Sequence, residues 1–160
     1  LFIIPENVTT RLKELTRKKE RSLFQIMAST LGLFIHKVTG DDDICIGIPV
    51  STRKYNDKMA RLFGFFVDTT VARFRFDPGN SFKDYIDHAG NIVREAVKNS
   101  PYSFERIVDT LNPPRIPGVN PYFQVTLSWT TGMTYPLDLC GIRGEKIPYY
   151  RNVTPFDLAL

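Results

Sequence analysis

The side chains with chemistry to offer are few and scattered along the chain. His36 and His88 fall in stretches of helical periodicity, and neither has a Ser, Cys or carboxylate spaced to make a nucleophile and base pair. Cys45 and Cys140 are the only cysteines. They read as free buried thiols of a reducing, cytoplasmic setting, and with the two histidines they form no zinc pattern. Asp41, Asp42 and Asp43 lack the alternating ligands and closing Glu of a calcium loop, so they read as a solvated turn. Gly32, Gly40 and Gly47 are too dispersed to cradle a phosphate, and residues 141–144 lack the Lys-Ser/Thr ending of a phosphate-binding loop. One regular pattern remains. Gln124, Thr126, Ser128 and Thr130 alternate with Phe123, Val125, Leu127 and Trp129, which gives a strand one polar face. That face is either solvated or the wall of a polar channel. Residue chemistry alone therefore supplies no complete active site and no metal site.

The elements that must carry these residues follow from periodicity. Residues 6–19 after Pro5 read as a helix with Val8, Leu12 and Leu15 on one face. Ser22 is an N-cap candidate for a second helix to about Val38, whose apolar residues cover most of its circumference and predict burial nearly all round. Residues 44–50 form a short apolar run ending in Pro and Val, the pattern of a strand covered on both faces. A polar loop at 51–58 precedes a long strand over 65–76, with Phe66, Asp68, Thr70, Ala72, Phe74 and Phe76 on one side and Val67, Thr69, Val71, Arg73 and Arg75 on the other.

After a turn at Asp77, Pro78, Gly79 and Asn80, Ser81 and Asp84 begin a helix with a stripe of Phe82, Tyr85, Ile86, Ala89, Val93, Ala96 and Val97. A shorter helix carries Phe104, Ile107, Val108 and Leu111 and closes at Asn112, Pro113 and Pro114. Residues 122–130 read as a strand, 132–148 as an irregular hairpin or loop, and 156–160 as the start of another strand. A strand covered on both faces belongs to α/β layering, so the expected class is α/β.

Composition narrows the function classes. The chain has 160 residues, 42% hydrophobic and 24% charged, enough for one folded core. No apolar run approaches the roughly 20 residues of a membrane-spanning helix. A net charge of +4 is far below the footprint of a dedicated nucleic-acid binder. The densest basic run, Arg17 to Arg21, reads as a solvated helix end. The sequons at Asn7 and Asn152 read as chance matches. The start at Leu1 without Met, and the stop at Leu160 inside an expected strand, suggest a piece cut at both ends.

The order of motifs resembles the condensation domain of nonribosomal peptide synthetases. The resemblance begins with His36-Lys37-Val38-Thr39-Gly40, the acidic turn, the strand to Val50, and Arg53. It continues in Phe63-Gly64-Phe65-Phe66-Val67-Asp68-Thr69, similar to the family's Ile-Gly-x-Phe-Val-Asn-Thr, with Arg73 four residues on. Asn99-Ser100-Pro101-Tyr102-Ser103-Phe104-Glu105 is a looser match to Asn-Gln-Asp-x-Pro-Phe-Glu. Residues 115–123, with Arg115, Asn120 and Pro121 in place, resemble Arg-Asp-x-Ser-Arg-Asn-Pro-Leu-Phe, and Phe156-Asp157-Leu158 closes the series.

The resemblance implies one lobe of a chloramphenicol acetyltransferase-like α/β fold, a mixed β-sheet packed with helices, specifically the C-terminal lobe, with residues 1–160 truncated at both ends. It implies amide formation between a carrier-bound acyl donor thioester and an aminoacyl acceptor. The family's catalytic His-His-x-x-x-Asp-Gly belongs to the preceding N-terminal lobe, so no catalytic residue is expected here and the isolated piece is expected to be inactive. Arg53, Gly64, Asp68, Arg73, Phe104, Glu105, Arg115, Asn120 and Pro121 are carried over as structural motif residues. Arg115 is expected to satisfy several carbonyls or a carboxylate near the lobe junction, with similar readings for Arg53 and Arg73. Thr126, Ser128 and Thr130 are the candidates for the tunnel wall.

No directly bound cofactor is implied. The phosphopantetheine arms belong to partner carrier proteins, and the other implied partners are the N-terminal lobe and an adenylation domain. An apolar face left for the missing lobe predicts self-association. A catalytically silent recruitment module, or another acyltransferase of the superfamily, are the alternative readings. Asp68 for Asn, Ser103 for Pro, and Ile116-Pro117-Gly118-Val119 in the last long motif depart from the family pattern.

Overall fold

The computed structural model describes residues 3–55, 57–77, 79–130, 137–144 and 154–160. Pro78 of the expected turn, residues 132–136 and 145–148 of the expected irregular stretch, and Asn152 of the second sequon lie outside them.

Helix α1 spans Glu6–Lys19 and α2 spans Leu23–Thr39. Ser22 caps α2 by accepting from the Gln25 N–H while the Gln25 side chain accepts from the Ser22 N–H, a reciprocal pair that satisfies two otherwise orphaned donors. Strand β1, Asp43–Ser51, runs antiparallel to β2, Val67–Arg75, in an unbroken register from Asp43 opposite Arg75 to Ser51 opposite Val67. A 3₁₀ turn, Thr52–Tyr55, and the short helix α3, Asp57–Ala60, occupy the stretch between them that was expected to be plain loop. Helix α4 spans Phe82–Lys98 and α5 spans Phe104–Leu111.

Strand β3 is only Val125–Thr126; β4, Leu137–Leu139, and β5, Ile142–Gly144, form a separate hairpin; β6 is Leu158–Ala159. The main sheet has the order β2-β1-β3-β6, with β3 parallel to both β1 and β6, so it is mixed as expected.

The core lies between one sheet face and helices α2 and α4. Ile44, Ile46, Ile48 and Val50 of β1 and Ala72 and Phe74 of β2 meet Ala28 and Leu31 of α2 and Tyr85, Ile86, Ala89 and Val93 of α4. Burial of this apolar surface is the main stabilising contribution. Two polar devices lock the helices together: Tyr85 Oη donates to the Ser29 carbonyl at 2.7 Å, and Gln25 Nε2 donates to the Gly90 carbonyl at 2.8 Å.

Several local expectations are corrected. Phe34 and Val38 are exposed, so α2 is buried on one side rather than nearly all round. Phe82, expected on the apolar stripe of α4, is exposed and outside the core cluster that holds Tyr85 and Ile86. Pro49 is exposed, so the second face of β1 is covered only in part.

The largest correction concerns residues 122–130. Tyr122 has φ +68° and the Phe123 N–H bonds the Pro121 carbonyl two residues back at 2.9 Å, a three-residue turn. This turn breaks the alternation. Phe123 packs on the sheet face away from α2 and α4, while Val125 and Leu127 join the core.

Candidate functional site

The face of the sheet turned away from α2 and α4 carries Arg73 and, through the Phe123 ring over Gly47, meets Phe104. Register places Asp43, Cys45, Gly47, Pro49 and Ser51 of β1 and Arg75, Arg73, Val71, Thr69 and Val67 of β2 on that face. At one end Arg73 grips Asp43 with Nε at 2.7 Å and an Nη at 2.6 Å, and Arg75 lies 3.6 Å from the same carboxylate. The paired bonds from Arg73 hold the Asp43 carboxyl below its usual range. Beside them the Cys45 thiol is pushed up, first by burial and then by the Asp43 charge, so it stays protonated and poorly nucleophilic at neutral pH. Asp43, Cys45, Val71 and Arg73 line a groove of about 620 Å³ whose other wall is Ile107 and Leu111 of α5 and Tyr122.

In the middle of the face Gly47 lies under Phe123. A β-carbon there would sit 2.7 Å from Phe123 Cδ2, so only glycine admits the ring. Phe123 stands 5.2 Å from the Phe104 ring and 5.7 Å from Phe156, and Phe104 meets Tyr122 edge to face at 6.4 Å. This aromatic cluster fastens α5 and the C-terminal segment to the sheet. Asn120 adds a polar staple, donating from Nδ2 to the Pro155 carbonyl at 2.8 Å and accepting from Gln124 Nε2 at its own carbonyl at 2.7 Å.

At the other end Arg53 organises the loop before β2. One Nη donates to the Met59 carbonyl at 2.8 Å and to that of Leu62, the other Nη donates to the Gly64 carbonyl at 3.0 Å, and the guanidinium carbon lies 4.4 Å from the Phe66 ring centre. A planar fork of donors is suited to several carbonyls at once.

The remaining sequence candidates are placed as follows. Asp68 accepts from the Thr69 N–H at 2.7 Å. Pro121 supplies the carbonyl of the three-residue turn. Glu105 is exposed in the first turn of α5, where a carboxylate suits the helix dipole. Arg115 is exposed and makes no hydrogen bond or ion pair among the described residues; the arrangement in which one guanidinium holds several carbonyls is found at Arg53 instead. Thr126 is buried beside Gly47, whereas Ser128 and Thr130 are exposed. The three hydroxyls therefore do not form one continuous wall. Neither His36 nor His88 meets a nucleophile: His36 stacks on Phe76 at 4.2 Å with Nδ1 2.8 Å from the Asp41 carbonyl.

Sequence reasoning missed the turn at Tyr122; for Arg53 it anticipated a hold on carbonyls but not which ones. The glycine inside the apolar run of β1 was the available signal for a ring lying close above it.

No group of three or more His, Cys, Asp or Glu among the described residues is placed to hold a metal ion, and no helix there is long and apolar enough to cross a membrane. What the arrangement offers is a shaped surface: an ionic grip at one end, an aromatic cluster in the middle and a pinned loop at the other.

Comparison with known proteins fits that description. The family model for the condensation domain matches residues 1–160. The phosphinothricin tripeptide synthetase PhsC of Streptomyces viridochromogenes is 33% identical over 131 residues, which are 82% of this chain and 12% of that protein. Among solved structures, the X-domain from teicoplanin biosynthesis superposes with a TM-score of 0.78 at 20% identity, covering 93% of this chain and 33% of that one. The condensation domain of the monacolin K polyketide synthase MokA gives 0.69 at 24% identity, with 78% and 29% covered. At these identities the structures speak for the fold, a mixed sheet packed with helices of the chloramphenicol acetyltransferase-like type.

Proposed function

Because the chain belongs to the condensation-domain family, we propose that residues 1–160 are the C-terminal lobe of a condensation domain that makes amide bonds in nonribosomal peptide biosynthesis. The acceptor amine nitrogen attacks the carbonyl carbon of a donor thioester. The C–N bond forms as the C–S bond breaks, and the sulfur leaves as the carrier-arm thiol with a proton taken from the amine. The proton is handled by the upstream lobe, and the present residues supply a wall and its shape.

The observation that carries this reading is the family match along the whole chain, supported by motif residues that hold local structure: Arg53 on the Met59 and Gly64 carbonyls, Arg73 on Asp43, Phe104 on the Phe123 ring and Asn120 on the Pro155 carbonyl. Arg73 and Asp43 hold their charges on each other at one end of the groove, with Arg75 beside the same carboxylate. Ser128 and Thr130, exposed in the segment after β3, are the hydroxyls that would bond an amide of a bound substrate.

The substrates arrive on phosphopantetheine arms of carrier proteins, and an adenylation domain is the neighbouring partner, in the cytoplasm. The chain spans 12% of its relative PhsC, so most of the assembly lies in other sequence. The test is amide formation by the full parent condensation domain, given one acyl-loaded and one aminoacyl-loaded carrier, read as the condensed thioester by mass spectrometry. Product that disappears when the upstream catalytic His is replaced supports the reading. No product from correctly loaded carriers overturns it and favours a recruitment module instead.

A further inference from the structure

The loop before β2 presents apolar side chains to solvent while its backbone is held still. Phe63 is fully exposed, Phe65 is 88% exposed, and Leu62 and Val67 are 54% and 44% exposed. A loose loop could hide such rings against its own body. This one is fastened from within: Arg53 bonds the carbonyls of Met59, Leu62 and Gly64, and both the N–H and the hydroxyl of Thr52 donate to the Phe66 carbonyl at 2.9 and 3.2 Å. Gly64 has φ +153°, a conformation that L side chains rarely adopt. Through it the chain turns Phe66 inward beneath the Arg53 guanidinium and leaves Phe63 and Phe65 outward. Polar clamps therefore fix an apolar finger in the position least favourable for a free surface.

We infer that Phe63 and Phe65 are a docking finger for the part of the condensation domain that lies outside residues 1–160, and that Arg53 is the residue that positions it. This rests on the reading of the chain as one lobe. The occupant follows from length: this chain covers 29% of the MokA condensation domain chain and 33% of the X-domain chain, so about two thirds of a domain of this family must pack elsewhere. The finger also adjoins the Ser51 and Val67 end of the β1 and β2 pair, away from Arg73 and Asp43. An apolar surface of the companion lobe is the chemistry that would bury two phenyl rings.

The test uses the complete parent condensation domain with a photo-reactive benzoylphenylalanine at position 63. Illumination is expected to give an intramolecular cross-link to a residue outside residues 1–160, mapped by mass spectrometry, and the added substitution R53K is expected to lower its yield several-fold. A cross-link to a second polypeptide, a cross-link confined to residues 1–160, or none at all overturns the inference; an unchanged yield with R53K overturns the positioning role. Should the photo-reactive variant fail to fold, hydroxyl-radical footprinting of the unmodified domain decides. Protected Phe63 and Phe65 support the finger, and oxidation at the rate of exposed phenylalanine overturns it. Amide formation is assayed separately on the same protein, so a missing cross-link with product intact overturns the finger alone, and a cross-link without product overturns only the catalytic reading.

Discussion

Arg73 and Asp43 meet diagonally across the β1 and β2 pair, Nε to Oδ1 at 2.7 Å and Nη to Oδ2 at 2.6 Å, with Arg75 and not Arg73 directly opposite Asp43. The geometry is bidentate, yet the side chains remain 56% and 45% exposed, so solvent screens the pair and its contribution is expected to be about 1 kcal/mol or less. The Asp43 pKa is depressed in the folded chain, chiefly by the Arg73 bonds. Its stabilising effect is therefore complete above the unfolded value, roughly pH 4, and is lost as the pH falls through the folded value. An NMR titration of the Asp43 carboxyl should give a midpoint below the ordinary value, and R73Q should return it upward.

Gly47→Ala should destabilise the fold by about 1–3 kcal/mol, because the new methyl enters the space of the Phe123 ring. Phe123→Ala, at a site only 4% exposed, should cost about 3–5 kcal/mol. The two losses should not add, since removing the ring removes the clash. Urea denaturation of the two single variants and the double variant reads this coupling directly.

Tyr85→Phe removes a buried hydroxyl that donates to the Ser29 carbonyl, and a loss of about 1 kcal/mol is expected. The Tyr85 pKa is raised above its ordinary value by burial, so the folded state favours the neutral phenol. Stability from this group is present below the unfolded value, roughly pH 10, and is lost as the pH rises through the folded one. Comparison of the alkaline absorbance titrations should show that the Tyr85 contribution appears only with unfolding.

Asp68→Asn restores the residue type of the family motif. The side-chain oxygen can still accept from the Thr69 N–H, so stability should change by less than about 0.5 kcal/mol. A larger loss in thermal unfolding would show that the carboxylate charge itself is used.

Legibility followed the range of the interactions. The extents of α1, α4 and α5, the Ser22 and Ser81 caps and the inward face of β2 depend on residues a few positions apart, and periodicity read them well. The face assignment of Phe123 failed because a single positive φ at Tyr122 shifts the phase of everything before it, and an ordinary alternation carries no mark of that turn. The short extent of β3 was hidden for a related reason: its neighbours β1 and β6 are distant in sequence. At the site, motif order identified Arg53, Arg73 and Asn120, but which carbonyl or carboxylate each one meets depends on tertiary folding. Arg53 holds the carbonyls, and Arg115, given the clearest structural expectation, stays open to solvent.

The parallel pairing of Val125 and Thr126 with Leu158 and Ala159 has a consequence for how the chain is made. During synthesis the antiparallel β1 and β2 ribbon and the helices flanking it leave the ribosome first, before the core partners Val125, Leu127 and Leu158. The outer side of β3 stays unpaired until residue 160 emerges, when the Leu160 N–H reaches the Thr126 carbonyl and the Ser128 N–H reaches the Leu160 carbonyl. Contacts that close such long loops form slowly. The short strand therefore presents an unpaired edge to the nascent chain until the C-terminal segment arrives, and its two-residue length, flanked by the Phe123 turn, limits what can pair there by mistake.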